Sequence, residues 1–134
     1  VDWPLVAAAC LLHDVCKLDS SLEPREGHEV AGGKLLRELG FPAVARLVER
    51  HVLDSGGGLE SVEEEVLFYA DKRVEWDKVV TLRERLAGLL RRYARRPGAV
   101  ERINRNFEMA FALEERLLGR AGVSPEELLE LNGS

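Results

Sequence analysis

The sequence predicts an all-α protein, a compact array of six or seven helices. Three observations carry that expectation. Apolar residues recur at spacings of three and four along most of the chain, and no segment alternates as a strand does. Capping residues open the periodic runs, and glycine or proline closes them. The 134 residues are 46% hydrophobic and 32% charged, the balance of a single globular domain over 1–134 with enough chain to bury a core.

Asp2 caps the first helix, with Pro4 in its first turn. Leu5, Ala9, Leu12, His13 and Cys16 share one face, and the helix is expected to end near Lys17. Residues 18–26 read as a polar loop. The second helix runs from about Gly27 to Leu39 with Ala31, Leu35 and Leu39 as its stripe, and Gly40 stops it. Pro42 starts the third, where Val44, Leu47, Val48 and His51 keep helical spacing. Ser55–Gly58 reads as a mobile glycine-rich loop just after His51, either a lid or a plain connector.

Ser61 with Glu64 forms a capping box for the fourth helix. That helix carries Val62, Val66, Leu67 and Ala70 and ends between Asp71 and Val74. Thr81 with Glu84 opens the fifth, closed by Arg96 and Pro97. A long sixth helix reaches Ala121 and stops at Gly122. Ser124, Pro125 and Glu127 open a short last one.

No apolar run is long enough to span a bilayer, and no leader is visible, so a cytoplasmic protein is expected. Cys10 and Cys16 read as buried free thiols. The charge is uneven. Residues 83–105 hold eight arginines against two acids, a local +6 in a chain of net −5, so the rest carries −11. This stretch is either a solvated helix face or an attractor of phosphates.

The chain has three histidines. His13 lies on the stripe of the first helix, His28 one turn before that of the second, and His51 closes that of the third. Asp71 follows Leu67 by one turn at the end of the fourth, and Asp14 adds a carboxylate beside His13. Singly, each has an ordinary explanation as a hydrogen-bonded core residue or a helix-terminus contact. Together, imidazole and carboxylate from successive helices suit Fe, Mn, Zn or a similar divalent ion.

Four blocks in this order also resemble a known family. Leu11-Leu12-His13-Asp14-Val15-Cys16-Lys17 resembles the signature of the HD-domain metal-dependent phosphohydrolases. Gly27-His28-Glu29-Val30-Ala31-Gly32-Gly33 is similar to the family's next block, His51 to its further histidine, and Tyr69-Ala70-Asp71-Lys72 to its closing motif. The resemblance spans about residues 3–75, with C-terminal helices over 78–131.

It implies that His13, Asp14 and Asp71 hold a primary metal. His28 and His51 would hold a second, or bind substrate phosphate. Asp14 and Lys17 would be catalytic, and Lys17 and Lys72 would bind substrate. The implied cofactor is one or two divalent ions (Mn, Fe, Ni, Mg or Zn). The family carries a further histidine on an earlier helix, and no histidine precedes His13 here, so an upstream helix is expected before residue 1.

The expected function is hydrolysis of a phosphoester of a nucleotide or related phosphorylated molecule. The alternatives are an inactive HD-type domain that binds a nucleotide or partner protein, and a helical interaction module. A membrane partner is not expected, a homodimer stays open, and no nucleic-acid motif is present. Gly32 leaves room for substrate or for close helix packing. Trp3, Tyr69 and Trp76 read as packing residues more than as base-stacking groups.

Overall fold

Local chemistry starts each helix where the sequence places it. The computed structural model describes residues 1–13, 28–50 and 58–133, with the side chains of His28 and Glu29 left out. Along these residues run α1 (Trp3–Leu12), α2 (His28–Glu38), α3 (Pro42–Arg50), α4 (Val62–Lys72), α5 (Leu82–Tyr93), α6 (Ala99–Ala121) and a closing 3-10 helix (Glu126–Asn132). Two strands, β1 (Val74–Glu75) and β2 (Lys78–Val79), pair antiparallel. Among the described residues the fold is all-α apart from that hairpin. The expected end of the first helix near Lys17, the loop over 18–26, Cys16 and most of the Ser55–Gly58 connector lie outside the described residues.

The Asp2 carboxylate accepts from the Leu5 amide at 3.0 Å and supplies one of the orphan N–H groups at the start of α1 with a partner. Ser61 does the same for Glu64 at 3.1 Å, and Thr81 for its own Glu84 at 3.1 Å. Ser124 and Glu127 complete a reciprocal box, with side-chain to backbone distances of 3.2 and 2.9 Å. At Ser61 the box is shifted by one residue: Glu64 accepts from the amide of Glu60, not of Ser61.

Both predicted glycine stops take the left-handed conformation. Gly40 (φ 91°) and Gly122 (φ 68°) follow α2 and α6. In each case the next residue reaches back five, Phe41 to the Leu36 carbonyl (2.8 Å) and Val123 to that of Leu118 (3.1 Å), which satisfies the helix's last acceptors.

Contacts divide the chain into two units, Val1–Phe68 and Tyr69–Ser134. In the first, Ala9, Leu47 and Leu67 pack together with Leu5 and Val44, while Leu36, Ala45 and Val48 pack with Leu12 and Val44. In the second, Leu82 on α5 and Ala99, Phe107, Ala110 and Leu113 on α6 are buried, at the spacing of one inward face.

Several expectations need correction. The face of α1 runs through Val6 and Ala9, and Cys10 is exposed. α1 has no polar residue between Trp3 and Leu12, so nothing in its sequence fixes which side turns inward. On α2 the buried positions are Ala31, Gly32, Gly33 and Leu36, whereas Leu39 is 61% exposed. At Gly33 the Glu49 side chain of α3 fills the space that a side chain would take. A Cβ on Gly33 would fall well inside contact distance of the Glu49 side chain.

α5 stops at Tyr93, three residues before Arg96. The last helix is a 3-10 turn. Trp3 and Trp76 are exposed, and only Tyr69 is buried, so the packing role holds for one of the three aromatics. The hairpin went unread because two residues per strand are too few to alternate. Its tip also uses Trp76 at φ 58°, a conformation that bulky residues avoid.

Candidate metal centre

His13 sits immediately after α1 with helical backbone angles. Its Nδ1 lies 2.8 Å from the Cys10 carbonyl oxygen, one turn back. A carbonyl only accepts, so Nδ1 donates in this contact, which in a neutral ring leaves the lone pair on Nε2. A histidine ligand is commonly oriented in this way, by a hydrogen bond from its other nitrogen. The same contact also satisfies an orphan carbonyl at the end of α1.

Asp71 lies in the last turn of α4, partly buried, with Oδ2 3.1 Å from Nζ of Lys72. Lys72 itself is buried, which brings a cation and a carboxylate to the same helix end. His28 is the first residue of α2. Asp14, Lys17 and His51 lie outside the described residues. His13 belongs to the first unit, and Asp71 and Lys72 to the second. Among the described residues no three His, Cys, Asp or Glu side chains gather into a metal-holding group.

Polar anchors that the sequence reading missed fix the two helix ends next to expected ligands. Arg73, only 3% exposed, follows Asp71 by two residues. It donates to the Tyr69 hydroxyl (2.8 Å), to Glu114 (3.0 Å) and to the carbonyls of Val80 (2.6 Å) and Pro125 (2.9 Å). Tyr69 in turn donates to Glu114. Burial, and then the Glu114 carboxylate, push the Tyr69 phenol well above its ordinary range. One guanidinium thus ties the end of α4 to the segment after β2, to α6 and to the start of the 3-10 helix.

In the first unit Glu64, 2% exposed, lies 3.3 Å from Nε of Arg50, the residue before His51. Arg50 also donates to the Gly58 carbonyl. The available signal was the spacing of Tyr69 and Arg73, and of Arg46 and Arg50, at i and i+4.

A cavity of about 960 Å³ opens in the first unit, lined by Asp2, Arg37, Arg46, Arg50, Glu60 and Glu63 among others. None of the described ligand candidates lines it. Its arginines are already engaged, Arg37 with Glu49 at 2.8 Å and Arg46 with Glu60 at 2.7 Å. It is a charged cleft within the first unit.

The sequence model of the HD domain matches residues 2–76. This match takes in all four motif blocks and more than half of the chain. The chain belongs to the HD domain family. No curated protein and no solved structure matches it. HD domains are a superfamily of metal-dependent phosphohydrolases and typically bind divalent metals. The imidazole and carboxylate donors that the motif supplies suit such ions, and the orientation of His13 fits a ligand role. No helix among the described residues is long and apolar enough to cross a membrane.

Proposed function

We propose that this HD domain hydrolyses a phosphoester of a nucleotide or related phosphorylated small molecule. The observation that carries the reading is the family match over 2–76, joined to the His13 ring held with its lone pair on Nε2. His13, Asp14 and Asp71 are proposed as ligands of a primary divalent ion, and His28 and His51 as ligands of a second ion or of substrate phosphate. A bound ion of this kind lowers the pKa of water from about 15.7 toward 7 and offsets charge on phosphoryl oxygens.

The chain's own groups do the positioning. Asp14 orients the attacking water by accepting a hydrogen bond. Lys17 and Lys72 pair with non-bridging phosphate oxygens and hold the ester against the carboxylates. Lys72 suits that task because its buried ammonium stands beside Asp71, where a dianionic phosphate gains from partial desolvation. The Arg73 network keeps this end of α4 rigid, as a productive geometry requires.

Hydrolysis of a chromogenic phosphoester with added Mn²⁺ tests the proposal. The wild type is expected to turn over, to stop on chelation, and to lose at least about a hundredfold in rate as Asp14→Ala. Turnover that survives Asp14→Ala contradicts the assignment. A folded wild type that hydrolyses no ester in the presence of Mn²⁺, Ni²⁺ or Mg²⁺ leaves the inactive, ligand-binding reading.

A further inference from the structure

The second unit carries a surface that the hydrolytic reading does not use. Between Glu84 and Glu101 the chain has no acidic residue. At the end of α5 and in the turn that follows, Arg91, Arg92, Arg95 and Arg96 are all exposed. None of the four forms an ion pair among the described residues. Arg91 and Arg92 lie in the last turn of α5, and Arg95 and Arg96 in the turn after it, so four cations meet at one helix end. Tyr93 sits among them, with the Arg96 guanidinium 4.8 Å and that of Arg92 5.9 Å from its ring centroid. Both guanidinium groups lie within cation–π reach of the ring.

The β-hairpin borders the same helix. A Cβ on Gly88 would lie 3.5 Å from Oε1 of Glu75 and 3.9 Å from Nη2 of Arg91. These are ordinary contact distances, and they place the Glu75 end of the hairpin against α5 beside Arg91. The next residue, Trp76, is 85% exposed and held at φ 58°. An indole in water on a left-handed backbone costs the fold twice, by exposed apolar area and by backbone strain.

We propose that the end of α5, the turn after it and the hairpin tip bind single-stranded nucleic acid, with Arg91, Arg92, Arg95 and Arg96 on backbone phosphates and Trp76 stacked on a base. Arginine forks match phosphate oxygens in pairs, and a base stacks on any aromatic face without regard to sequence. An anionic membrane fits less well. No large apolar residue between 82 and 105 is exposed, so Trp76 would have to insert without apolar support from the helix. The surface is independent of whether the metal centre is active.

The test is fluorescence anisotropy of a labelled oligouridine RNA with the full chain, repeated across salt concentrations. Three or four phosphate contacts predict a slope of log K against log salt of roughly −2 to −3. Changing all four arginines to Gln is expected to weaken binding at least tenfold. Trp76→Ala is expected to weaken single-strand binding about fivefold or more and to leave a duplex of equal length unaffected.

If the fourfold variant loses helical circular dichroism, the pair Arg95→Gln and Arg96→Gln, outside the helix, replaces it and must weaken binding several-fold. Absence of RNA binding by the wild type at low salt overturns the proposal. So do a flat salt dependence, full affinity in the arginine variants, or tighter binding to vesicles of anionic lipid than to RNA.

Discussion

The ring of His13 and the backbone carbonyl of Cys10 lie 2.8 Å apart, and this contact decides which nitrogen of the histidine faces outward chemistry. With the Nδ1 proton donated along the helix, coordination falls to Nε2. In His13→Asn the amide nitrogen takes the place of Nδ1 and keeps the carbonyl contact. It supplies nothing where Nε2 stood. We therefore expect an unchanged melting temperature and a loss of at least about tenfold in Mn²⁺ affinity, read by calorimetric titration of metal-stripped protein.

Arg73 is the most heavily engaged side chain described in the second unit. Arg73→Ala leaves the Tyr69–Glu114 bond without its facing cation and two carbonyls without their guanidinium donor. A destabilisation of about 3–5 kcal/mol is expected, measured by urea unfolding. Arg73→Lys keeps the charge but cannot reach four acceptors with one ammonium, and should recover less than half of that loss.

The same network predicts an alkaline limb. The folded state raises the Tyr69 pKa above its ordinary 10.0, chiefly by burial. Its contribution is therefore fully present below that value, and is lost as the unfolded phenol ionises and pH climbs toward the raised one. The melting temperature of the wild type should fall steeply above about pH 10, where tyrosine normally ionises, and that of Tyr69→Phe should fall less. An equally steep fall in both would place the alkaline transition elsewhere.

On the acid side, the amide of Asp2 donates to Glu63 at 2.9 Å, and this bond lowers the Glu63 carboxyl below its ordinary 4.5. A lowered carboxylate stabilises the fold above its ordinary value, and that contribution disappears as pH drops through the lowered one. The melting temperature of wild type minus that of Glu63→Gln should be positive near neutrality and vanish in acid. Differential scanning calorimetry across pH reads both ends.

Gly33 faces Glu49 so closely that a methyl group has no room. Gly33→Ala must push Glu49 off Arg37, breaking a two-pronged pair with distances of 2.9 and 2.8 Å. The pair is largely exposed and contributes little by itself. The clash is with the Glu49 side chain and with no backbone atom, so a loss of about 1 kcal/mol or less is expected in chemical denaturation.

Helix order was legible because capping chemistry is local: Asp2, Ser61, Thr81 and Ser124 each need only a residue three positions on. Facing was less legible. α1 lacks a polar side to orient it, and on α2 buried glycines take places that hydrophobic spacing does not register. The hairpin was hidden by its brevity. At the candidate centre, motif order pointed to the family, but the roles of Arg73 and Glu64 depend on partners 41 and 14 or more residues away and on burial, neither of which a local pattern encodes.

The central claim is that a divalent ion is held by His13, Asp14 and Asp71. Elemental analysis of the protein as purified, beside an Asp71→Ala variant of equal helical content, addresses it most directly. The account predicts one or two equivalents of transition metal in the wild type and a marked loss in the variant. A folded wild type without metal that also fails to take up Mn²⁺, Fe²⁺, Ni²⁺ or Zn²⁺ on reconstitution would contradict it.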